Sequence, residues 1–165
     1  MKKKIKTEII ISLFRFIKDA KIGKMDDNGK IKMWKIMRAL KPVAEKFDDD
    51  VKTSSEKLRP EGYAELLKNA QKIENEERKE FGEINSKERE QEFAKLLREK
   101  HPEYAKFQDA HVEMMRLCNE ALKEFAEKEV KVEYELLDED GFGKLMASND
   151  WNLEQATFIS DYICE

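Results

Sequence analysis

Cysteine is scarce in this sequence, with only Cys118 and Cys164 among 165 residues. The two cysteines form neither a CxxC pair nor a cluster with histidine, so the sequence indicates no zinc site and no disulfide framework. Such usage is typical of a reducing compartment, and we expect a cytoplasmic protein.

Long hydrophobic runs are also missing. The longest, Ile9-Ile10-Ile11, is far too short to span a membrane. The lysine-rich start resembles that of a signal peptide, but Arg15 and Lys18 interrupt the apolar stretch and no small-residue cleavage site follows. We therefore expect an unexported protein that has no contact with a membrane.

Catalytic motifs are absent as well. There is no glycine-rich phosphate loop and no GxSxG elbow. The two histidines, His101 and His111, lie outside any HExxH motif, and His111 falls on an apolar helical face that predicts a core or boundary position. The sequence therefore predicts a protein that is not an enzyme and binds no cofactor.

Two acidic turns resemble calcium loops but lack the ligands of an EF-hand. If Gly29 takes the sixth position, Lys24 and Lys35 occupy the first and twelfth, where acidic ligands are required. The turn that ends at Gly141 fails in the same way. The sequence therefore predicts no metal site.

Charged residues make up 41% of the chain, against the roughly 25% of an average domain. Together with only 6 Gly and 3 Pro, this favours long solvated helices over sheets with many turns. Residues 1–42 hold 13 Lys or Arg against 4 Asp or Glu, and the remainder of the chain is acidic. The basic end either binds a polyanion or packs on the acidic body. We favour packing, because apolar residues interrupt the lysines; the candidate polyanion-binding residues are Lys2, Lys3, Lys4 and Arg15.

The strongest helical pattern extends from Tyr104 to Phe125. Its apolar or small residues recur at alternating steps of three and four, which places them on one helical face. Met115 and Leu122 widen this face and favour a helix packed into a bundle. The residues of the face are Tyr104, Phe107, His111, Met114, Cys118, Ala121 and Phe125.

Four further helices are predicted before it: two in the first 58 residues, one after Pro60 that contains Leu67 and Ile73, and one after Asn85 that contains Phe93 and Leu97. Glu8–Lys18 suits either a strand or a helix; its apolar spacing favours a helix. A second helix extends from about Lys30 to Leu58, with Pro42 either bending or splitting it, and we favour one bent helix. Its predicted apolar face is Ile31, Trp34, Met37, Leu40, Ala44, Phe47 and Val51.

Polar residues alternate with apolar or β-branched residues in two segments, Lys3–Thr7 and Val130–Leu136, as is typical of β-strands. Antiparallel pairing of Lys3–Thr7 with Lys131–Glu135 would place lysines beside acidic residues. We therefore predict a mainly α fold, an antiparallel helical bundle or hairpin, in which a small two-stranded β element joins the N-terminal region to residues 130–136.

Three local features complete the prediction. Residues 74–80 contain no apolar side chain, which predicts a charged segment projecting from the body. Asn85 is expected to cap one helix, and Asn149 or Asp150 the last one. Trp34, Phe142 and Trp151 are candidates for a partner-binding surface, with burial in the core as the favoured alternative.

The order of these elements resembles small uncharacterised helical proteins of tailed phages and prophages. The residues that carry the resemblance are a lysine-rich start continuing into an apolar stretch (Lys2 to Ile17), charged helices, a late strand (Val130–Leu136) and a short terminal helix (Leu153–Ile163). The resemblance implies a phage-encoded protein in the cytoplasm of the host bacterium. It implies no functional residues.

We therefore predict a single helical domain over residues 1–165, with a basic strand and helix (1–25), a helical body (30–128) and a strand followed by short helices (130–165). Its predicted function is non-catalytic protein–protein interaction, as an accessory of phage assembly or an inhibitor of a host protein. The partner is a second copy in an oligomeric coiled coil, a phage structural protein or a host protein. The alternative is binding of a small ligand or nucleic acid through the basic N-terminal third.

Overall fold

A computed structural model describes residues 2–165; Met1 and the side chain of Lys2 lie outside the described part. It is 74% helical, with seven helices and a two-stranded antiparallel sheet in the described chain, which confirms the mainly α fold class. The elements are β1 (Lys2–Lys6), α1 (Thr7–Ile17), α2 (Asp27–Lys57), α3 (Tyr63–Phe81), α4 (Lys87–Lys100), α5 (Pro102–Glu127), β2 (Glu129–Glu133), α6 (Glu139–Met146) and α7 (Leu153–Ile163).

The chain forms two compact units. The first, which we call the terminal unit, contains the residues up to Lys52 and those from Leu122 onward. The second, which we call the middle unit, contains residues Thr53–Ala121. The assignment of the whole chain to a single domain stays a prediction.

The sheet of the terminal unit pairs β1, near residue 1, with β2, which follows α5. The predicted antiparallel pair is present, but Thr7 begins α1 and β2 ends at Glu133, so the register differs from the predicted one. Lys6 faces an acidic residue at one end of the pairing, and two lysines face each other in its middle. The pairs are Lys2 with Glu133, Lys3 with Val132, Lys4 with Lys131, Ile5 with Val130, and Lys6 with Glu129.

Hydrogen bonds connect the start of α1 to the residue before β2, and the chain after β2 to the end of α7. The Thr7 hydroxyl and backbone N–H both donate to the Lys128 carbonyl, at 2.7 and 2.9 Å. At the other end, the Leu137 N–H donates to the Ile163 carbonyl at 2.7 Å. Each bond satisfies a backbone group that would be costly to leave unpaired.

The core of the terminal unit forms around α1 and α2. Because Ile10, Leu13 and Ile17 recur at helical spacing, α1 turns one apolar face inward, which confirms the helix predicted over residues 8–18. α2 is one helix with Pro42 inside it, as favoured. The predicted apolar face of α2 is wrong at its start, since Met33 and Ile36 are buried there, whereas Ile31 and Trp34 are exposed.

The middle unit has its own core, formed by the side chains of Ala70, Phe93, Leu97, Tyr104 and Phe107. The Phe81 and Phe93 rings pack with their centroids 5.0 Å apart. The prediction for α5 is confirmed on its main face, but it is wrong for Met115 and Leu122, which were expected to widen that face and are exposed.

Glycine is required at both ends of α3. Gly62 precedes the helix with φ of 68°, and Gly82 follows it with φ of 86°. A side chain is strained in this region of backbone conformation, so the two glycines set the bounds of the helix.

The predicted caps are wrong in detail. Ser86, rather than Asn85, caps α4 and accepts from the Arg89 N–H. Asn152 caps α7 through a capping box with Gln155. Asn149 instead bonds both backbone groups of Lys21, so its side chain is committed to a loop.

Candidate protein-interaction surface

α2 presents two large apolar side chains to solvent. Met33, Ile36 and Leu40 are buried and hold the helix to the core of the terminal unit. Ile31 and Trp34 lie on another face, with 52% and 58% of their surface exposed. Because they are three residues apart on a helix, their side chains are neighbours. The result is an apolar surface on a firmly anchored helix.

Trp34 lies at the wall of an open groove of about 530 Å³, which we call the Trp34 groove. One wall is formed by α2 and the other by the chain at and after the end of β2. All the lining residues belong to the terminal unit: Trp34, Lys35, Arg38, Ala39, Glu133, Tyr134 and Glu135.

One ion pair joins the two walls of the groove. The Lys35 ammonium lies 3.1 Å from a carboxylate oxygen of Glu135. Both side chains are substantially exposed, so the pair contributes little to stability and serves mainly to place its charges.

Arg38 is the cation of the groove that interacts with an aromatic ring. Its guanidinium carbon lies 5.2 Å from the centroid of the Trp34 ring, a cation–π contact. Within residues 2–165, no carboxylate is recorded within ion-pair distance of this guanidinium. The charge of Arg38 therefore remains available to a ligand.

Tyr134 fixes the far wall. Its hydroxyl donates to the Tyr162 carbonyl at 2.9 Å. Burial raises the pKa of Tyr134 to about 12, and the neighbouring Tyr162 adds to this shift. The phenol therefore stays neutral, and it keeps this hydrogen bond over the physiological pH range.

The three aromatic candidates from the sequence are not brought together. Trp34 is exposed at its groove. Phe142 is only 8% exposed and belongs to the core, the alternative that the sequence analysis favoured. Trp151 is half-buried against the same core. Neither of the latter two lines the Trp34 groove.

The basic candidates lie beside groups of the terminal unit. The Lys3 ammonium is 5.1 Å from the centroid of the Tyr162 ring, and Arg15 lies 3.8 Å from Asp48. Lys4 faces Lys131 across the sheet, and the side chain of Lys2 lies outside the described residues. Polyanion binding by these residues stays a prediction.

The middle unit has a larger open depression, of about 700 Å³, and two pairs of its polar side chains bond to each other. Arg78 donates to Glu74 at 2.9 Å, and Gln108 donates to the Tyr104 hydroxyl at 2.8 Å. His111, predicted as a core or boundary residue, is half-buried and lies 3.0 Å from the Tyr63 hydroxyl. These contacts explain packing within the unit.

Glu77 is a buried carboxylate at the centre of a partly exposed charge cluster that the sequence did not predict. The prediction of a projecting segment over residues 74–80 is wrong at this residue, which is only 9% exposed. Its carboxylate lies 2.7 Å from the Lys100 ammonium and 2.9 Å from His101 Nε2. Hydrogen bonds from Lys100 and then His101 hold the pKa of Glu77 below its ordinary value of 4.5.

This cluster predicts sensitivity of the middle unit to acid. A carboxyl whose pKa is lowered on folding stabilises the fold above its unfolded pKa, and this contribution is lost as the pH falls through the folded value. We expect Glu77→Gln to lower the unfolding temperature at pH 7. Below about pH 4.5, the unfolding temperature of the variant should decrease less steeply with falling pH than that of the wild type. Thermal unfolding followed by circular dichroism from pH 7 to about pH 3 checks this.

Glu76→Gln is the matched control, because that residue is exposed one position away. It should leave the unfolding temperature at pH 7 almost unchanged. An equal effect of the two substitutions would contradict a stabilising role for the Glu77 cluster.

None of the helices between residues 2 and 165 has the length and hydropathy to cross a bilayer. In the same part of the chain, no group of three or more His, Cys, Asp or Glu side chains is arranged to hold a metal ion.

Comparison with protein-family models, with curated proteins and with solved structures gives no match. The resemblance to proteins of tailed phages therefore stays a prediction.

Proposed function

We propose that this chain is a non-catalytic protein-interaction protein that binds its partner through the Trp34 groove and the adjoining Ile31. The observation that carries the proposal is the exposure of Trp34, at 58%, on a helix whose opposite face is fixed in the core. Following the resemblance found in the sequence, we further propose that it is phage-encoded and acts as an assembly accessory or as an inhibitor of a host protein.

The chemistry of this surface supports protein binding. Tryptophan and arginine are enriched among the residues that dominate binding energies, and here the two are in contact. A tryptophan on an anchored helix loses little conformational freedom on binding, so more of its buried area contributes to affinity. Ile31 extends the apolar area by one helical turn.

The first test identifies the partner. A photo-crosslinking amino acid is placed at position 31 of the full chain, crosslinking is done in producing cells, and products are identified by mass spectrometry. A phage structural protein would favour the assembly role, and a host enzyme would favour inhibition. The control position is Leu153, which is 82% exposed on α7 and outside the groove.

The second test is the substitution Trp34→Ala. We expect it to weaken binding of the purified, identified partner by at least about 2 kcal/mol, or roughly 30-fold, because it removes the central side chain of the surface. The dissociation constant is measured by calorimetry. Leu153→Ala, an apolar truncation elsewhere in the terminal unit, should leave the constant unchanged. Two results together would exclude this surface as the binding site. The Trp34→Ala variant would bind the partner as tightly as the wild type, and position 31 would give no crosslinked product that position 153 lacks.

A further inference from the structure

We infer that the Trp34 groove binds an acidic amphipathic peptide segment, one that places a carboxylate on Arg38 and an apolar side chain on Trp34. This inference rests on the proposed function and goes beyond it by assigning the chemistry of the partner.

The first observation is the charge of the helix at the groove. Residues 28–44 contain five cations and no Asp or Glu, although the whole chain has a net charge of −4. Three of these cations are compensated from outside that stretch, namely Lys30 by Asp27, Lys35 by Glu135 and Lys41 by Glu45. Arg38 is one of the two that have no such ion pair among the described residues. Its position beside Trp34 makes it the one available in the groove.

The second observation is the geometry of Arg38 and Trp34. The guanidinium carbon of Arg38 lies 5.2 Å from the centroid of the Trp34 ring, and the Arg38 side chain is exposed. Arginine can bind a carboxylate through two parallel hydrogen bonds and stack on an aromatic ring at the same time. A ligand that fits both residues therefore needs an acidic and an apolar side chain close together. Side chains three or four residues apart on a helix satisfy this spacing.

The far wall of the groove argues against nucleic acid. Glu133 and Glu135 line it, and Glu135 already pairs with Lys35, so a continuous phosphate backbone would pass close to two carboxylates and would compete with Glu135 for Lys35. Like charges at short distance disfavour binding. A peptide needs only one or two carboxylates near Arg38, and its other side chains avoid this repulsion. Ile31 also favours a peptide, because it offers apolar area without an aromatic face for base stacking.

The test uses the full chain as bait for a display library of random peptides, and fluorescence anisotropy to measure the dissociation constants of those selected. We expect selected peptides to carry Asp or Glu three or four positions from an aromatic or aliphatic residue. Arg38→Gln should weaken their binding about tenfold or more, as should replacing the peptide carboxylates by amides. Lys32→Gln is the matched control, since it removes the other cation of residues 28–44 that has no ion pair among the described residues, and Lys32 does not line the groove.

The outcomes separate this inference from the proposed function. Peptides that require Trp34 but bind Arg38→Gln as tightly as wild type would overturn the acidic chemistry and leave the binding surface in place. If no selected peptide bound Trp34→Ala more weakly than the wild type, both the acidic-peptide inference and the proposed binding surface would be overturned. Tighter, Arg38-dependent binding of single-stranded DNA would assign the groove to nucleic acid. A dimer in light scattering that Trp34→Ala converts to a monomer would assign the groove to a second copy of the chain. Either the DNA result or the dimer result would overturn the inference.

Discussion

Replacing Ile36 by alanine is expected to lower the free energy of unfolding by about 2–5 kcal/mol, because it leaves a cavity in the core of the terminal unit. Ile36 is fully buried on α2, where it packs in the cluster that contains Leu13, Leu145 and Ile159. Urea unfolding followed by circular dichroism measures the change.

Ile31→Ala provides the control on the same helix. It removes the same side chain from an exposed position and is expected to change stability by less than about 0.5 kcal/mol. Equal losses for the two substitutions would contradict the orientation of α2, on which the exposure of Trp34 also depends.

Phe93→Ala is expected to cost about 3–5 kcal/mol through the core of the middle unit. The Phe93 ring packs on Phe81, and the guanidinium of Arg78 lies 5.5 Å from its centroid. Truncation removes the apolar packing and the cation–π contact together. Leu66→Ala, an exposed leucine in the same unit, should be nearly neutral. A neutral Phe93→Ala would contradict the assignment of this core.

The two core substitutions together test the prediction of one domain. If the chain unfolds as a single cooperative unit, Ile36→Ala and Phe93→Ala shift the same transition when it is followed by several probes. If each shifts a separate transition, the two compact units unfold independently, and the single-domain prediction is wrong.

Much of the fold follows from the period of the apolar residues. In α1 the residues Ile10, Leu13 and Ile17 define one face, and in α5 the residues Tyr104, Phe107 and Met114 do so. Strict alternation around Val132 specifies the second strand in the same way. In each of these segments one face contains most of the buried apolar residues, so the period indicates which face turns inward.

α2 shows where that approach fails. Its first half contains apolar residues on two faces, and a set that includes Ile31 and Trp34 fits the helical period as well as the buried set of Met33, Ile36 and Leu40. Only tertiary packing decides which set is covered. The exposed apolar surface therefore escaped the sequence analysis, although Trp34 itself was a candidate.

Charge partners are less predictable still. Glu77 and Lys100 are 23 residues apart in sequence, and Lys35 and Glu135 are 100 apart. In a chain where charged residues are so abundant, composition gives no way to choose among the possible pairs. The buried carboxylate and the ion pair across the groove are visible only when the helices are assembled.

The pairing of β1 with β2 also has a consequence for synthesis on the ribosome. The acceptor for the hydroxyl and N–H of Thr7 is the carbonyl of Lys128, which is translated 121 residues after Thr7. Until then the inward face of α1, with Ile10 and Leu13, lacks the partners that β2, α6 and α7 supply. α2 follows α1 directly and supplies part of this core early, whereas the partners from β2, α6 and α7 are added only after the chain has been made beyond Lys128. The core of the terminal unit is therefore completed late relative to the synthesis of α1.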